Sequence, residues 1–156
     1  MKYIVVAVII ALAIFIFIRS SNSKKEAAEN LAIAESFLIE NKTNADVIET
    51  ASGLQYQVLK KGNGSEHPKA NSTVKVHYHG TLLDGTVFDS SVDRGEPISF
   101  PLNQVIKGWT EGVQLMVVGD KFKFFIPSQL AYGDRATGKI SSGSLLIFEV
   151  ELLEIQ

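Results

Sequence analysis

From Tyr3 to Ile18 the chain is an unbroken apolar run, preceded by Lys2 and ended by Arg19. As a helix rising about 1.5 Å per residue it reaches roughly 24 Å, against a hydrocarbon core of about 30 Å. Ser20 to Ser23 reads as a short polar break. Beyond it Ala27, Leu31, Ala34 and Leu38 fall at i, i+4, i+7 and i+11, the stripe of an amphipathic helix over Lys24–Asn41. Ile33 and Phe37 widen that stripe, and Lys25, Glu29, Glu35 and Glu40 sit off it. Such a helix can pack on its own domain, pair with a second copy, or space the domain from a bilayer. The polar cluster Asn41-Lys42-Thr43-Asn44 ends it.

From Ser52 the period changes to two. Leu54, Tyr56 and Val58 alternate with Gln55 and Gln57, which predicts a half-buried strand before the turn Gly62-Asn63-Gly64. Val74, Val76 and Tyr78 alternate with Lys75, His77 and His79, so Tyr78 faces the apolar side. Asp84-Gly85 is a hairpin turn into Val87-Phe88. Lys107–Leu115 is the one helix predicted in this half. Lys121–Ile126 is a strand stopped by Pro127, with Lys121 and Lys123 along a solvated strand edge and Phe122, Phe124 and Phe125 packing. A Gly- and Ser-rich loop covers Tyr132–Ser144, and Leu145–Ile155 is the closing strand. Many strands with one short helix give an α+β class, an antiparallel sheet wrapped around a helix. The expected organisation is a membrane segment over 1–23, an amphipathic helix and linker over 24–51, and the β-rich domain over 52–156.

A net charge of −2 over 156 residues gives no basic face for nucleic acid. The absence of cysteine excludes disulfides, thiol catalysis and cysteine-held metal. His77 and His79 share a strand face, but no third ligand accompanies them, and two solvated histidines are expected rather than a metal site. The apolar run has two readings, an uncleaved signal anchor or a signal peptide cut at Ser21-Asn22-Ser23. The flanking charges conflict. Lys2 and the amino terminus favour an N-in orientation, whereas Arg19, Lys24 and Lys25 favour N-out. Our expectation is a single pass through a bacterial inner membrane by Tyr3–Ile18 with the domain on the periplasmic side; the alternative is release into the periplasm after cleavage.

Candidate chemistry lies in five segments, each with one large aromatic among β-formers or turn glycines: Val76-His77-Tyr78-His79-Gly80, Val87-Phe88-Asp89-Ser90, Val105-Ile106-Lys107-Gly108-Trp109, Ala131-Tyr132-Gly133 and Leu146-Ile147-Phe148-Glu149-Val150. Folded around one space they would make an aromatic pocket with a single carboxylate, Asp89, suited to an apolar ligand. No matched acid, base and nucleophile accompany it. In order and spacing these segments resemble the FKBP-type peptidyl-prolyl isomerases, over Ser52–Gln156. The stretch from Ser36 to Tyr56 is similar to the approach to that domain in bacterial members of the macrophage infectivity potentiator kind. Those carry a longer helical dimerisation arm upstream; here a membrane run stands in most of its place, which leaves dimerisation open.

The resemblance implies a proline pocket with a role for each matching position. Trp109 would be the floor, Phe88 and Phe148 walls, Ile106 a backbone N–H donor and Tyr132 a hydroxyl donor to substrate carbonyls. Arg94 would pair with Asp89 and Tyr78 behind the pocket, Phe100, Gln104 and Val105 would line it, and Ile140 would overhang it. It also implies no cofactor, proline-containing polypeptides as clients, and FKBP-directed macrolides as inhibitors. Departures are Gln104, where some members are acidic, the charges Asp134-Arg135, and Ser141-Ser142 in place of a common Pro-Pro pair. The expected function is prolyl isomerisation in the folding of exported proteins at the membrane. The competing reading is a tethered proline-peptide-binding chaperone or adaptor with little catalysis.

Overall fold

Between Lys2 and Asn41 there is neither glycine nor proline, and the computed structural model, which describes residues 2–156, forms one unbroken helix there (α1, Lys2–Asn41, 40 residues). At about 1.5 Å per residue it is roughly 60 Å long. Met1, the first residue of the expected membrane segment, lies outside the described residues. The break expected at Ser20–Ser23 does not occur. Serine and asparagine cost a helix only about half a kcal/mol each, too little to stop one that good formers continue on either side.

The two halves of α1 meet different surroundings. Ile4–Ile18 is exposed throughout, with a window of mean hydropathy 2.7 in this part of the helix. The second half lies against the β-rich domain along a stripe at Ser23, Ala27, Asn30, Ala34, Phe37/Leu38 and Asn41, with Ala27, Ala34 and Asn41 buried. The expected stripe is therefore rotated: Leu31 and Ile33 are exposed, while Ala27, Ala34 and Phe37 face the domain. Small residues on the contact face let the helix approach closely, and of the three uses open to this helix self-packing is seen.

The strands are β1 (Val47–Glu49), β2 (Gln55–Lys60), β3 (Thr73–Thr81), β4 (Val87–Ser90), β5 (Ile98–Pro101), β6 (Lys121–Ile126) and β7 (Leu146–Ile155). They form one antiparallel sheet in the order β1-β2-β6-β7-β3-β4, with β5 also paired to β3. β4 pairs with the end of β3 at His79–Thr81 and β5 with its beginning at Thr73–Val76, so one strand edge receives two partners. Two short helices complete the set, α2 (Ser91–Arg94) and α3 (Lys107–Val113).

α3 lies on the inner face of β6, and glycine allows it. A Cβ at Gly108 would come within 2.5 Å of Ile126 Cγ2, and one at Gly112 within 2.6 Å of Phe124 Cε1. The four-residue spacing puts both glycines on the face that meets the sheet. Around this contact lies the core: Leu54, Val74, Val76, Leu102, Val113, Met116, Phe124, Ile126, Leu146, Val150 and Leu152, all buried. The α+β architecture expected from the sequence is the one observed.

Two expectations fail, one because α1 covers the outer face of the sheet and one because of the strand order. Gln55, taken as an outward residue, is 0% exposed. Its Oε1 accepts from Asn41 Nδ2 at 2.9 Å, and its Nε2 donates to Leu38 O at 2.9 Å and Glu49 Oε2 at 2.8 Å. Nor are Lys121 and Lys123 on a sheet edge, since β6 lies between β2 and β7. Lys121 pairs with Glu149 at 3.5 Å, and Lys123 lies 5.6 Å from the centre of the Phe125 ring. Phe125, on the same outer face, is buried beneath Phe37 of α1, ring centres 5.8 Å apart.

Candidate functional site

The alternation in β3 turns Tyr78 inward, and the chain after it returns by a tight turn. Asp84 Oδ1 accepts the Thr86 N–H at 2.9 Å, and Leu82 N–H bonds Thr86 O at 2.9 Å, closing the hairpin into β4. At the end of β4 the Ser90 hydroxyl caps α2 by accepting the Asp93 N–H at 3.1 Å. That single turn swings Arg94 back over the strand it has just left. Nη1 of Arg94 donates to Asp89 Oδ1, Nη2 donates to the Tyr78 hydroxyl at 3.0 Å, and that hydroxyl donates to Asp89 Oδ2 at 2.6 Å. Ser91, wholly buried, accepts the Tyr78 N–H at 2.8 Å and fixes the other side of the residue.

The remaining parts come from β5 and the segments that follow it. β5 delivers Phe100, and Pro101 leads into a 3₁₀ turn, Leu102–Gln104. The turn is tied down by Leu102 N–H to Ser72 O at 2.9 Å and by the Thr110 hydroxyl to Leu102 O. Val105 and Ile106 then lead into α3, which carries Trp109. Ile106 is the cap residue. Its carbonyl accepts from Trp109 and Thr110, while its own N–H has no intrahelical acceptor. After Pro127 a second 3₁₀ turn, Ser128–Leu130, leads to Ala131 and Tyr132.

These pieces enclose a cavity of about 440 Å³ lined by Tyr78, Asp89, Phe100, Gln104, Val105, Ile106, Trp109, Ala131, Tyr132 and Phe148. The rings meet the indole edge to face: Tyr78 at 5.3 Å and 84°, Phe148 at 5.3 Å and 81°, Phe100 at 5.6 Å and 83°. Three rings thus stand upright around a flat base, an arrangement favoured by the aromatic quadrupole. Trp109 is buried, and its Nε1 has no hydrogen-bond partner among the described residues.

Nine of the twelve candidate residues line this cavity. Arg94 stands behind it on Asp89 and Tyr78. Phe88 braces Phe148, ring centres 5.2 Å apart at 86°. Ile140 is buried in the hydrophobic core, where a two-residue ladder with Thr137 holds it. Ala131 and Ser91 were not among the candidates. Ala131 could have been included as the neighbour of Tyr132, whereas nothing in the sequence marks Ser91. His77 and His79 are not free in solvent: Nδ1 of each lies within hydrogen-bond distance of a serine hydroxyl, Ser91 at 2.9 Å and Ser90 at 2.8 Å.

Electrostatics make the carboxylate a fixed anion. Burial pushes the Asp89 carboxyl up, but hydrogen bonds from Tyr78 and Arg94, with the guanidinium charge, outweigh it and hold the group below its ordinary value. Burial and the Asp89 hydrogen bond raise the Tyr78 phenol, with Arg94 opposing. Arg94 is raised further still by its bonds to both. A paired carboxylate of depressed pKa is a poor base at neutral pH. The lining holds no histidine, lysine, serine or cysteine. The geometry serves binding and electrostatic stabilisation rather than covalent chemistry.

Comparison with known proteins agrees with this geometry. Residues 64–153 match the family model of the FKBP-type peptidyl-prolyl cis-trans isomerase, and residues 12–58 match that of the domain amino terminal to it. The second match reaches back into the apolar run, so α1 is shared with the family and does not simply replace its arm. The chain is similar to the FKBP-type peptidyl-prolyl cis-trans isomerase FkpA of Aeromonas hydrophila, 60% identical over 87% of this chain and 50% of the relative. It is also similar to the outer membrane protein MIP of Legionella longbeachae, 43% identical over 88% of this chain and 59% of the relative. The crystal structure of FkpA from Escherichia coli superposes with a TM-score of 0.86 at 41% identity, covering 94% of this chain and 70% of that one. The chain thus spans roughly half to three fifths of the length of these two curated relatives. A cavity built from five separated segments, found where the family match runs, makes this chain a member of the FKBP-type peptidyl-prolyl cis-trans isomerase family.

Proposed function

We propose that the protein catalyses cis-trans isomerisation of X-Pro peptide bonds, with the cavity over Trp109 as its active site. The observation that carries this reading is a flat indole base walled by three perpendicular rings, with its one carboxylate already neutralised by Arg94. A pyrrolidine ring is compact and apolar and packs against such a base. The barrier to rotation is about 18–20 kcal/mol because the planar amide has double-bond character. The planar amide is also the more dipolar form, so an apolar site disfavours it relative to the twisted form. That difference is binding realised only in the transition state. Each 1.36 kcal/mol of it is about tenfold in rate, and roughly 5–7 kcal/mol gives several thousandfold or more.

Residue roles follow from position. Phe88 keeps Phe148 upright, and Asp89 and Arg94 hold the Tyr78 ring as a wall. The Ile106 N–H, without an intrahelical acceptor, and the Tyr132 hydroxyl are donors that can hold substrate carbonyls. No proton moves and no bond to carbon forms. Clients are proline-containing polypeptides, and macrolides directed at FKBPs compete for the same base.

The exposed apolar half of α1 supports a membrane anchor, and we place the domain in the periplasm, assisting exported chains as they fold. The test is isomerisation of short X-Pro peptides by the full chain in detergent micelles, with and without rapamycin. Macrolide-sensitive turnover that Phe88→Ala reduces at least tenfold is expected. A folded wild type without turnover, or turnover indifferent to Phe88→Ala, would refute the assignment.

A further inference from the structure

The loop over Tyr132–Ser144 borders the cavity, and its far end is held by α1. Asn30 Nδ2 donates to Ser141 Oγ at 3.0 Å and to Ser142 O at 2.8 Å. The Ser23 hydroxyl lies 3.1 Å from that of Ser142. Between these contacts the backbones nearly touch. Gly143 adopts φ +74°, and a Cβ there would fall 2.6 Å from Ala27 O. The clamped segment is stiffened internally, since Ser144 Oγ donates to Ser141 O at 2.7 Å.

From that segment one bond leads to the pocket. Gly143 N–H bonds Gly133 O at 2.9 Å, and Gly133 follows Tyr132 in sequence. Tyr132 is 42% exposed, and its hydroxyl makes no side-chain hydrogen bond among the described residues, so its backbone alone places it. That backbone is held locally by Ser128 O, which accepts the Ala131 N–H at 2.9 Å and the Gly133 N–H at 2.8 Å, and by the Arg135 N–H to Tyr132 O at 3.1 Å; the strap from Gly143 is the contact that ties it to the far end of the loop. α1 holds the strap.

We propose that Asn30 and Ser23 of α1 are positioning residues for substrate: by clamping Ser141–Gly143 they fix the loop that presents Tyr132, and so set how tightly the pocket holds a peptide. The proposal rests on the isomerase reading of the cavity. Nothing in the clamp touches the twisting bond, so its loss acts on substrate capture rather than on rotation. KM rises while kcat for a bound peptide is retained. Peptides with more carbonyls for Tyr132 to hold lose more than a minimal X-Pro dipeptide.

The experiment uses the full chain in detergent micelles with three variants, Asn30→Ala, Asn30→Gln and Gly143→Ala. Steady-state isomerisation is measured on an X-Pro peptide series of increasing length, beside hydrogen exchange of the 132–144 amides. Mutations along a packed network that couples two sites can change the coupling by about 0.5–2 kcal/mol, roughly two- to thirtyfold. Asn30→Ala is expected to raise KM for the longer peptides by about that factor at unchanged kcat. Exchange at Gly143 should speed up, and the longer amide of Asn30→Gln should restore part of both. Gly143→Ala should reproduce the effect by forcing the loop off Ala27. An active wild type whose Asn30→Ala and Gly143→Ala forms keep its KM overturns the proposal alone, whatever the exchange shows. A KM rise with exchange at Gly143 unchanged overturns it too, because the strap would not be the route. A wild type that isomerises no peptide overturns the isomerase reading and this proposal together.

Discussion

Replacing Trp109 by phenylalanine sets two physical effects against each other at the base of the pocket. An aromatic side chain buries about 150–250 Å², and trimming indole to phenyl gives up roughly 50 Å², worth ~1.3 kcal/mol at about 25 cal/mol per Å². Against this, the Trp109 Nε1–H is buried without a partner, and such a group costs about 1–3 kcal/mol. A phenyl ring has no donor to leave unsatisfied. The edge-to-face contacts with Tyr78, Phe100 and Phe148 survive in part because a ring remains. Trp109→Phe is therefore expected within about 1.5 kcal/mol of wild type, on either side. Trp109→Ala, which also leaves a cavity, should lose about 3–5 kcal/mol. Urea unfolding followed by far-UV circular dichroism reads both, since Trp109 is the only tryptophan and fluorescence vanishes with it. Isomerase activity should fall less than tenfold in the phenylalanine form, which keeps a flat base, and more in the alanine form. A loss above about 3 kcal/mol for Trp109→Phe would refute the reasoning, because it would mean that the indole N–H is satisfied in solution.

Gln55→Met keeps the side-chain volume and removes two bonds that hold the end of α1 to β2 and one that holds β2 to Glu49 of β1. Two neutral bonds at about 1 kcal/mol each and one to a partly exposed carboxylate predict a loss of ~2–4 kcal/mol, read by urea unfolding; a change under about 1 kcal/mol would contradict the buried network. The Tyr78–Asp89–Arg94 triad predicts a two-sided pH window. Asp89 is depressed, so its contribution is complete above the ordinary carboxylate value of about 3.9 and fades as pH falls through its lower folded value. Tyr78 is raised, so its contribution is complete below about 10 and fades as pH climbs towards its higher folded value. The triad's contribution to activity and to unfolding free energy should be level between about pH 5 and 9, and acid and alkaline limbs left unchanged by Asp89→Ala would contradict the pairing.

The sequence resolves what one face of a strand or one aromatic per segment can encode. The alternation of Val74, Val76 and Tyr78, the Asp84-Gly85 turn and the helix carrying Trp109 are all where period and turn chemistry place them. Elements that depend on a neighbour are not legible in that way. β1 is three residues long and exists through its pairing with β2. β5 contains a proline and borrows its register from β3. α2 is one turn, defined by its Ser90 cap more than by any period. Gln55 reads as a surface residue because its strand alternates, and it is buried because a helix from elsewhere in the chain lies across it. The pocket follows the same division. Its rings announce themselves one by one, whereas Ser91 and the clamp from Asn30 are known only from the fold.

α1 passes from an exposed apolar end to a docked polar end without a joint, and that fixes a phase. Each residue turns a helix by about 100° and advances it about 1.5 Å. The direction in which the Trp109 cavity opens is thus locked to the orientation of the Ile4–Ile18 surface, as a key's teeth are to its bow. One residue inserted near Asn22 would swing the cavity roughly a quarter turn about the helix axis, whereas seven would lift it by about 10 Å and return it almost to its first bearing. Length along this helix changes reach and bearing together, and only near-whole numbers of turns alter the first without the second.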